Sequence, residues 1–133
     1  MRSARFGRVV MVSSVAARQP SAALIDYGAT KAALGAVTKA LARKYAADNV
    51  LVNSVLPGRV RTAMWERAAA EIAASSDQDV EAVFEERSRD IPMGRFGTSE
   101  EIADVILFLC SGLARYVTGA SIDADGGLGP SLH

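Results

Sequence analysis

The sequence predicts an α/β fold in which a parallel sheet of about three strands is flanked by helices. Three short apolar runs alternate with segments of helical periodicity, and this alternation is typical of parallel sheets with crossover connections. Half of the 133 residues are hydrophobic and 23% are charged, which is the composition of a folded domain. By length, residues 1–133 are predicted to form a single domain.

The first strand is predicted at Arg8–Val12, a mostly β-branched run that follows Gly7 and ends at the pair Ser13-Ser14. A loop of small and polar residues comes next. From about Ile25 to Ala47 the pattern becomes helical, because apolar residues recur every three or four positions and alanine is abundant.

A second apolar strand is predicted at Val50–Leu56, and it stops at the turn Pro57-Gly58. The alanine- and glutamate-rich region 62–89 is predicted to form two helices with a break near residues 75–77. Residues 91–97 are predicted to be a loop.

The last helix is predicted to begin with a capping box, in which Thr98 and Glu101 each satisfy the other's exposed backbone N–H. We expect this helix to stop at Gly112. A short strand at Gly119–Ala124 completes the predicted sheet. The apolar stripe of the helix consists of Ile102, Val105, Ile106 and Leu109.

Charge and hydropathy exclude two classes of partner. The formal net charge is zero, so nothing indicates binding to nucleic acid or to an anionic membrane surface. No apolar stretch has the length of a membrane span. The one local basic cluster is Arg59, Arg61 and Arg67, which we interpret as solvated surface arginines, with an anionic substrate as the alternative.

Single cysteine and histidine residues limit the chemistry further. Cys110, the only cysteine, lies in an apolar helical pattern and is interpreted as a small buried hydrophobe. Without a second thiol there is no internal disulfide, which fits the reducing cytoplasm. His133, the only histidine, is the last residue, so we predict neither a metal site nor a histidine-based triad.

Tyr27 and Lys31 are four residues apart, and on a helix they lie on one face. A tyrosine hydroxyl ordinarily keeps its proton until about pH 10. A neighbouring ammonium group stabilises the phenolate, so the proton can exchange nearer to neutral pH. Ser14 and Pro57-Gly58 follow strand ends, which share one edge in a parallel sheet, so we expect all these groups to converge there. Each motif alone is weak, since tyrosine and lysine at this spacing are often only a solvated pair.

Taken in order, the motifs are far more specific. They run through the chain as Ser14, Tyr27 with Lys31, Asn53–Gly58, Val60, Thr62, Pro92–Gly97, Glu100–Ala103, Phe108–Ser111, Tyr116–Gly119 and Asp125–Gly127. This series resembles the short-chain dehydrogenase/reductase family in its common form of about 250 residues. The resemblance extends from Gly7 to Gly127.

The resemblance implies an NAD- or NADP-dependent oxidoreductase that exchanges hydride with a small carbonyl or alcohol substrate. Tyr27 would donate and accept the proton, Lys31 would assist it and bind the nicotinamide ribose, and Ser14 would hold the substrate oxygen. The turn Pro57-Gly58 would lie beside the nicotinamide. Residues 63–91 would correspond to the helices that cover the substrate.

Two further positions are implied for the cofactor. The backbone of Val60 and the hydroxyl of Thr62 would meet the nicotinamide carboxamide and a nearby phosphate. Neither G-x-x-x-G-x-G nor G-x-G-x-x-G occurs in the sequence, although such turns let a backbone approach the pyrophosphate. Residues 1–7 resemble the end of the family's fourth helix.

We therefore expect the C-terminal half of a doubly wound, Rossmann-like domain, with the N-terminal dinucleotide-binding half absent and the first strand exposing an edge. Two functional hypotheses follow. The first is an oxidoreductase lineage that retains the Ser-Tyr-Lys part of its site and forms a homo-oligomer in the complete protein; we do not expect this chain to turn over by itself. The second is an inactive fragment that acts as an interaction module with full-length relatives through Glu100–Ala124. An unrelated small α/β binding domain is a remote third.

Overall fold

The computed structural model describes residues 1–129, so His133 lies outside the described range. Three strands form one parallel sheet in the order β1-β2-β3. Their bounds are Gly7–Val12 for β1, Val50–Pro57 for β2 and Ser121–Ala124 for β3. The predicted α/β architecture of three strands with flanking helices is therefore confirmed.

Strand β2 forms the centre of the sheet, and every residue in it except Pro57 is buried. This burial explains its nearly continuous apolar sequence, because a central parallel strand is covered on both faces. Strand β1 pairs with β2 from Gly7 opposite Val50 to Val12 opposite Val55. Its residues after Gly7 are only half-buried or exposed, so β1 is an edge with incomplete cover in the part of the chain that the structure describes.

Helix α1 (Ile25–Tyr45) connects β1 to β2 and packs on the sheet. Its contact with the sheet is a small apolar cluster of Ala42, Val50 and Val52, against which Val9, Leu41 and Tyr45 pack. The helix was expected to reach Ala47. Instead, a 3-10 turn at Ala46–Asp48 leads to Asn49, whose left-handed φ of 56° ends the helical path before β2.

Helices α2 (Ala63–Ser76) and α3 (Val80–Ser88) follow β2, as the sequence predicts. Asp77 interrupts them with a φ of 54°, and the side chain of Asp79 caps α3 by accepting a hydrogen bond from the N–H of Ala82. The two helices and the following loop enclose the larger apolar core, which consists of Ala69, Ala73, Val83, Phe84, Ile91 and Phe96.

Helix α4 (Ser99–Cys110) begins with the predicted capping box, in which both reciprocal hydrogen bonds are present. Gly112, the predicted stop, directly follows the C-cap residue Ser111. The helix stops at Cys110 because Ser111 is extended and its hydroxyl accepts a hydrogen bond from the N–H of Leu113, which starts a separate 3-10 turn.

The expected burial of Cys110 is also wrong, because this residue is exposed. Leu109 is the one fully buried residue of α4. The next position along a helix points about 100° away from it, so Cys110 lies outside the buried face. Within residues 1–129, no helix is both long and apolar enough to cross a membrane.

Strand β3 begins at Ser121, two residues later than predicted, because Gly119 and Ala120 are used to anchor it. Gly119 turns with a φ of 71° and donates its N–H to the carbonyl of Val52. The buried amide of Asn53 donates to the carbonyl of Val117 at 2.9 Å and accepts from the N–H of Ala120 at 3.0 Å. Asn53 therefore fixes the approach of β3 to the central strand.

Candidate active site

The two serines that follow β1 have different partners. The side chain of Ser13 is buried and donates to the backbone carbonyl of Lys31 at 2.8 Å. Ser14 begins a short 3-10 turn, where its hydroxyl accepts from the N–H of Ala16 at 3.2 Å. Ser13 thus holds α1 against the strand, whereas Ser14 keeps its hydroxyl proton for another acceptor.

Tyr27 and Lys31 lie on neighbouring turns at the start of α1. The Lys31 ammonium is 5.6 Å from the centroid of the Tyr27 ring and donates to the carbonyl of Val12 at 3.1 Å. An ammonium has three protons, so Lys31 can bind further acceptors at the same place.

A cavity of about 310 Å³ opens at this edge of the sheet, and we call it the first cavity. It is lined by all seven residues that the sequence analysis assigned to a site, namely Ser14, Tyr27, Lys31, Pro57, Gly58, Val60 and Thr62. The structure therefore brings together residues that are up to 48 positions apart (from Ser14 to Thr62). Carboxyl ends of parallel strands are where such folds bind ligands.

A second cavity of about 500 Å³ lies next to the first. Ser14 and Tyr27 line both cavities, as do Gly58, Met64 and Trp65, so these residues lie at the boundary between the two. Lys31 lines only the first cavity, whereas Leu24 and Leu128 line only the second. The site consequently has two compartments, with Ser14 and Tyr27 at their boundary.

The backbone around Val60 is held by a bridge that does not use the N–H and carbonyl of Val60 itself. Val60 forms an isolated parallel bridge with Gly97. The N–H of Gly97 donates to the carbonyl of Arg59, and the carbonyl of Gly97 accepts from the N–H of Arg61. In this pattern the N–H and carbonyl of Val60 itself take no part in the bridge. Val60 also lines the first cavity.

Thr62 offers a hydroxyl at the same place. It precedes α2 as the N-cap, but its side chain makes no capping hydrogen bond within the described residues. The first N–H groups of a helix have no partner inside the helix and attract anions. Thr62 and the start of α2 therefore form a polar corner of the first cavity.

Gly58 is required by the turn after β2. A Cβ atom at Gly58 would lie 2.7 Å from the Cα of Asp125, a distance that real Cβ atoms do not tolerate. The chain after β2 therefore passes directly against the turn that follows β3, and only glycine permits this approach.

The basic cluster is held by acidic and carbonyl partners. The guanidinium of Arg59 binds the carbonyl of Arg87 and, at 2.9 Å, the carboxylate of Asp90. Arg61 is hydrogen-bonded to the carboxylates of Glu81 and Glu66, which raises the pKa of Arg61, and the same contact lowers the pKa of Glu81. These pairings favour the interpretation of a surface cluster over the alternative of an anionic-substrate site.

The sequence analysis assigned no site role to Trp65, Met64 or Ile102, all of which line the first cavity. Trp65 also lines the second cavity and packs edge-to-face on Phe96, with ring centroids 5.0 Å apart. A signal was present, because Trp65 is the only tryptophan of the chain and begins the segment expected to cover the substrate.

Comparison with known proteins gives consistent matches over nearly the whole chain. Residues 1–129 match a family model described as enoyl-(acyl carrier protein) reductase. The chain is 42% identical over 124 residues to a 3-oxoacyl-(acyl-carrier-protein) reductase of Aquifex aeolicus, covering 93% of this chain and 46% of that protein. It is 40% identical over 130 residues to a cyclohexanol dehydrogenase of a Rhodococcus species, covering 96% and 44% respectively.

A solved structure shows the same arrangement of elements. L-sorbose reductase from Gluconobacter frateurii, in complex with NADPH and L-sorbose, superposes with a TM-score of 0.95 at 33% sequence identity. The superposition covers 99% of this chain and 51% of that one. The chain spans about half the length of the curated relatives it matches.

Proposed function

The chain belongs to the short-chain dehydrogenase/reductase family, and from this premise we propose that its site carries out the proton transfer that accompanies hydride exchange between a nicotinamide cofactor and a carbonyl or alcohol substrate. The relatives are NAD(P)-dependent oxidoreductases of this family. One observation carries the proposal. Ser14 and Tyr27 lie at the boundary between two cavities, and Lys31 lines only the first.

The chain's own groups account for the acid/base chemistry. In reduction, the Tyr27 hydroxyl donates its proton to the substrate oxygen as the carbonyl carbon gains hydride, and in oxidation the phenolate takes the proton back. The Lys31 ammonium stabilises that phenolate. The Ser14 hydroxyl donates a hydrogen bond to the same substrate oxygen and stabilises the charge that develops on it.

The first cavity suits the nicotinamide end of NAD or NADP, which when bound supplies or accepts the hydride. Its polar groups match that group: the ammonium of Lys31, the backbone groups of Val60 that take no part in the bridge to Gly97, and the hydroxyl of Thr62. Lys31 would bind the ribose, Val60 the carboxamide, and Thr62 a phosphate oxygen. Pro57 and Gly58 would form the wall beside the ring.

We also propose that residues 1–129 are one part of a Rossmann-like domain, since the sheet ends at β1 with an edge that is only partly covered. The rest of the dinucleotide would then be bound by the other half of such a domain. In the complete protein, the family relationship favours a homo-oligomer.

A pair of tyrosine variants tests the proposal. The parent chain, Tyr27→Phe and Tyr45→Phe would be assayed by oxidation of NADH and NADPH with a panel of ketones. Tyr45 lies at the other end of α1 and outside both cavities, so it is a matched control. We expect Tyr27→Phe to lower the rate by at least about 100-fold, the usual contribution of a general acid, and Tyr45→Phe to leave it unchanged. Equal, measurable rates in all three proteins would contradict the assignment, whereas the absence of turnover in all three would favour the second candidate function below.

A second candidate function is that of an interaction module for full-length relatives. It is favoured by an apolar surface on α4 and the turn after it, where Leu107, Leu113 and Tyr116 are 64%, 78% and 100% exposed. Absence of turnover in the parent chain, together with co-purification of a full-length relative, would support it. Loss of that co-purification in Leu113→Asp, but not in Val37→Asp on α1, would locate the contact.

A further inference from the structure

We propose that the substrate of this site is an uncharged, largely apolar ketone or alcohol, and that Trp65 is the residue that selects it. This inference rests on the proposed function, since it concerns the second cavity beside Ser14 and Tyr27. The names of the relatives include both cyclohexanol and L-sorbose, so the family relationship does not choose between apolar and polyhydroxylated substrates. The lining of the cavity does.

Apolar side chains form most of the second cavity beyond the two hydroxyl groups. They come from three separate segments: Val15 and Leu24 before and at the start of α1, Met64, Trp65 and Ala68 on α2, and Leu128. Leu24 and Met64 are more than half exposed. Exposed apolar side chains that converge on a concavity mark a binding site for an apolar group. The volume of about 500 Å³ accommodates a ring or a medium-length chain.

The lining of the second cavity offers no free cation to a negatively charged substrate among the described residues. Arg59 is the one permanently charged residue around the second cavity in the described part of the chain. Its guanidinium is already bound by the carboxylate of Asp90 and the carbonyl of Arg87. A carboxylate or phosphate on the substrate would therefore lose its hydration without gaining a free cation.

Few polar groups remain for additional substrate hydroxyls. Ser14 and Tyr27 are committed to the reacting oxygen in the proposed mechanism. Ser21 lies at the exposed rim, where its hydroxyl accepts a hydrogen bond from the N–H of Ala23. Gln19 provides the other polar side chain of the lining. Once Gln19 and Ser21 have bound a hydroxyl, the remaining hydroxyls of a polyol would be buried without a partner, which is unfavourable.

Trp65 gives the cavity a fixed wall. Its ring packs edge-to-face on Phe96, and Phe96 packs in the same way on Phe84, both at 5.0 Å between centroids. Phe84 and Phe96 are buried in the larger apolar core. The indole is thereby held in one orientation, whereas the neighbouring Met64 is flexible and can adapt to different shapes. A flat apolar wall beside Tyr27 favours an apolar skeleton on the substrate carbonyl.

The position of Trp65 supplies a direct assay, because this is the only tryptophan in the chain. Its fluorescence would be titrated with cyclooctanol and, separately, with myo-inositol, two cyclic alcohols of opposite polarity. Free N-acetyltryptophanamide corrects for solvent effects. Two variants complete the design: Ala68→Leu fills the second cavity, and Ala70→Leu places the same side chain on an exposed position of α2.

We expect a saturable fluorescence change with cyclooctanol and none with myo-inositol at equal concentrations. Ala68→Leu should weaken cyclooctanol binding at least tenfold, and Ala70→Leu should not change it. Tighter binding of myo-inositol, no saturable binding of either alcohol, or equal cyclooctanol binding in parent and Ala68→Leu would each overturn the inference. Because the assay needs no turnover, saturable cyclooctanol binding together with a measurable ketone-reduction rate that is unchanged in Tyr27→Phe would refute the proposed function while the apolar selectivity of the cavity stands.

Discussion

The hydroxyl of Ser13 donates a hydrogen bond to the backbone carbonyl of Lys31 at 2.8 Å. The ammonium of Lys31 donates in turn to the carbonyl of Val12 at 3.1 Å. Two contacts therefore tie one turn of α1 to the last residues of β1, immediately beside Ser14. Because Tyr27 precedes Lys31 by a single turn, these contacts set how the tyrosine is placed relative to the serine.

Ser13→Ala is expected to lower the free energy of unfolding by about 1–2 kcal/mol, since a buried hydrogen bond is lost from a well-packed position. Urea unfolding followed by circular dichroism measures the change. The exposed Ser3→Ala serves as the control and should change stability by less than about 0.5 kcal/mol. A Ser13→Ala protein as stable as the control would show that the contact contributes nothing.

Asn53→Leu should destabilise the sheet by about 2–3 kcal/mol, because the carbonyl of Val117 and the N–H of Ala120 both lose their partner. Ser54→Ala is a graded comparison, since it removes only the hydroxyl pair between Ser54 and Ser121 at 2.7 Å. Its expected cost is about 1 kcal/mol. Equal unfolding free energies for the two variants would contradict the view that Asn53 anchors β3.

The carboxylate of Glu101 is expected to stabilise the fold in a pH-dependent way. A hydrogen bond from Arg95 and one from the N–H of Thr98 lower the pKa of Glu101 from 4.5 to about 2. A carboxyl group whose pKa is lower in the folded than in the unfolded protein stabilises the fold. Its contribution is fully present above the pKa of the unfolded state and is lost as the pH falls toward the pKa of the folded state. The contribution should therefore be complete above about pH 4.5 and gone near pH 2.

Glu101→Gln measures this contribution, because glutamine can still serve in a capping box but carries no charge. We expect its Tm to be at most a few degrees below that of the parent at pH 7, since the pair with Arg95 is exposed. The two proteins should converge as the pH falls from about 4.5 to about 2. A Tm difference that is the same at pH 7 and at pH 2 would show that charge is not its cause.

The edge strand β1 should promote self-association at high protein concentration, since β1 pairs only with β2 among the described residues. Val12→Lys places a charge at the half-exposed end of this strand and is expected to reduce association in sedimentation velocity runs. Val37→Lys makes the same change on α1, away from the sheet edge. If both variants reduced association equally, the strand edge would not be the contact.

The order of elements and the approximate site follow from the sequence because both depend on local patterns. Apolar runs define the strands, three-to-four spacing defines the helices, and the pair Thr98 and Glu101 marks the start of α4. Ser14 and Tyr27 come together because a parallel strand and its crossover helix bring their adjacent ends to one edge. No distant contact is needed for that prediction.

The predictions that were wrong or left open concern contacts between segments that are far apart in the sequence. The apolar pattern around Cys110 does not reveal which helix face meets the sheet, and this residue is exposed. The sequence also offers Arg59 as a possible anion site, whereas Asp90, 31 residues away, occupies its guanidinium. Such outcomes depend on partners that local periodicity does not specify.

By itself, therefore, the sequence determined the α/β class, the succession of strands and helices, and the convergence of Ser14, Tyr27 and Lys31 at one edge. Tertiary structure alone decided that these groups stand beside an apolar compartment with Trp65 as its wall. The physical reason is that strand and helix formation reflects neighbours along the chain, whereas the shape and polarity of a cavity are set by side chains from segments far apart in sequence.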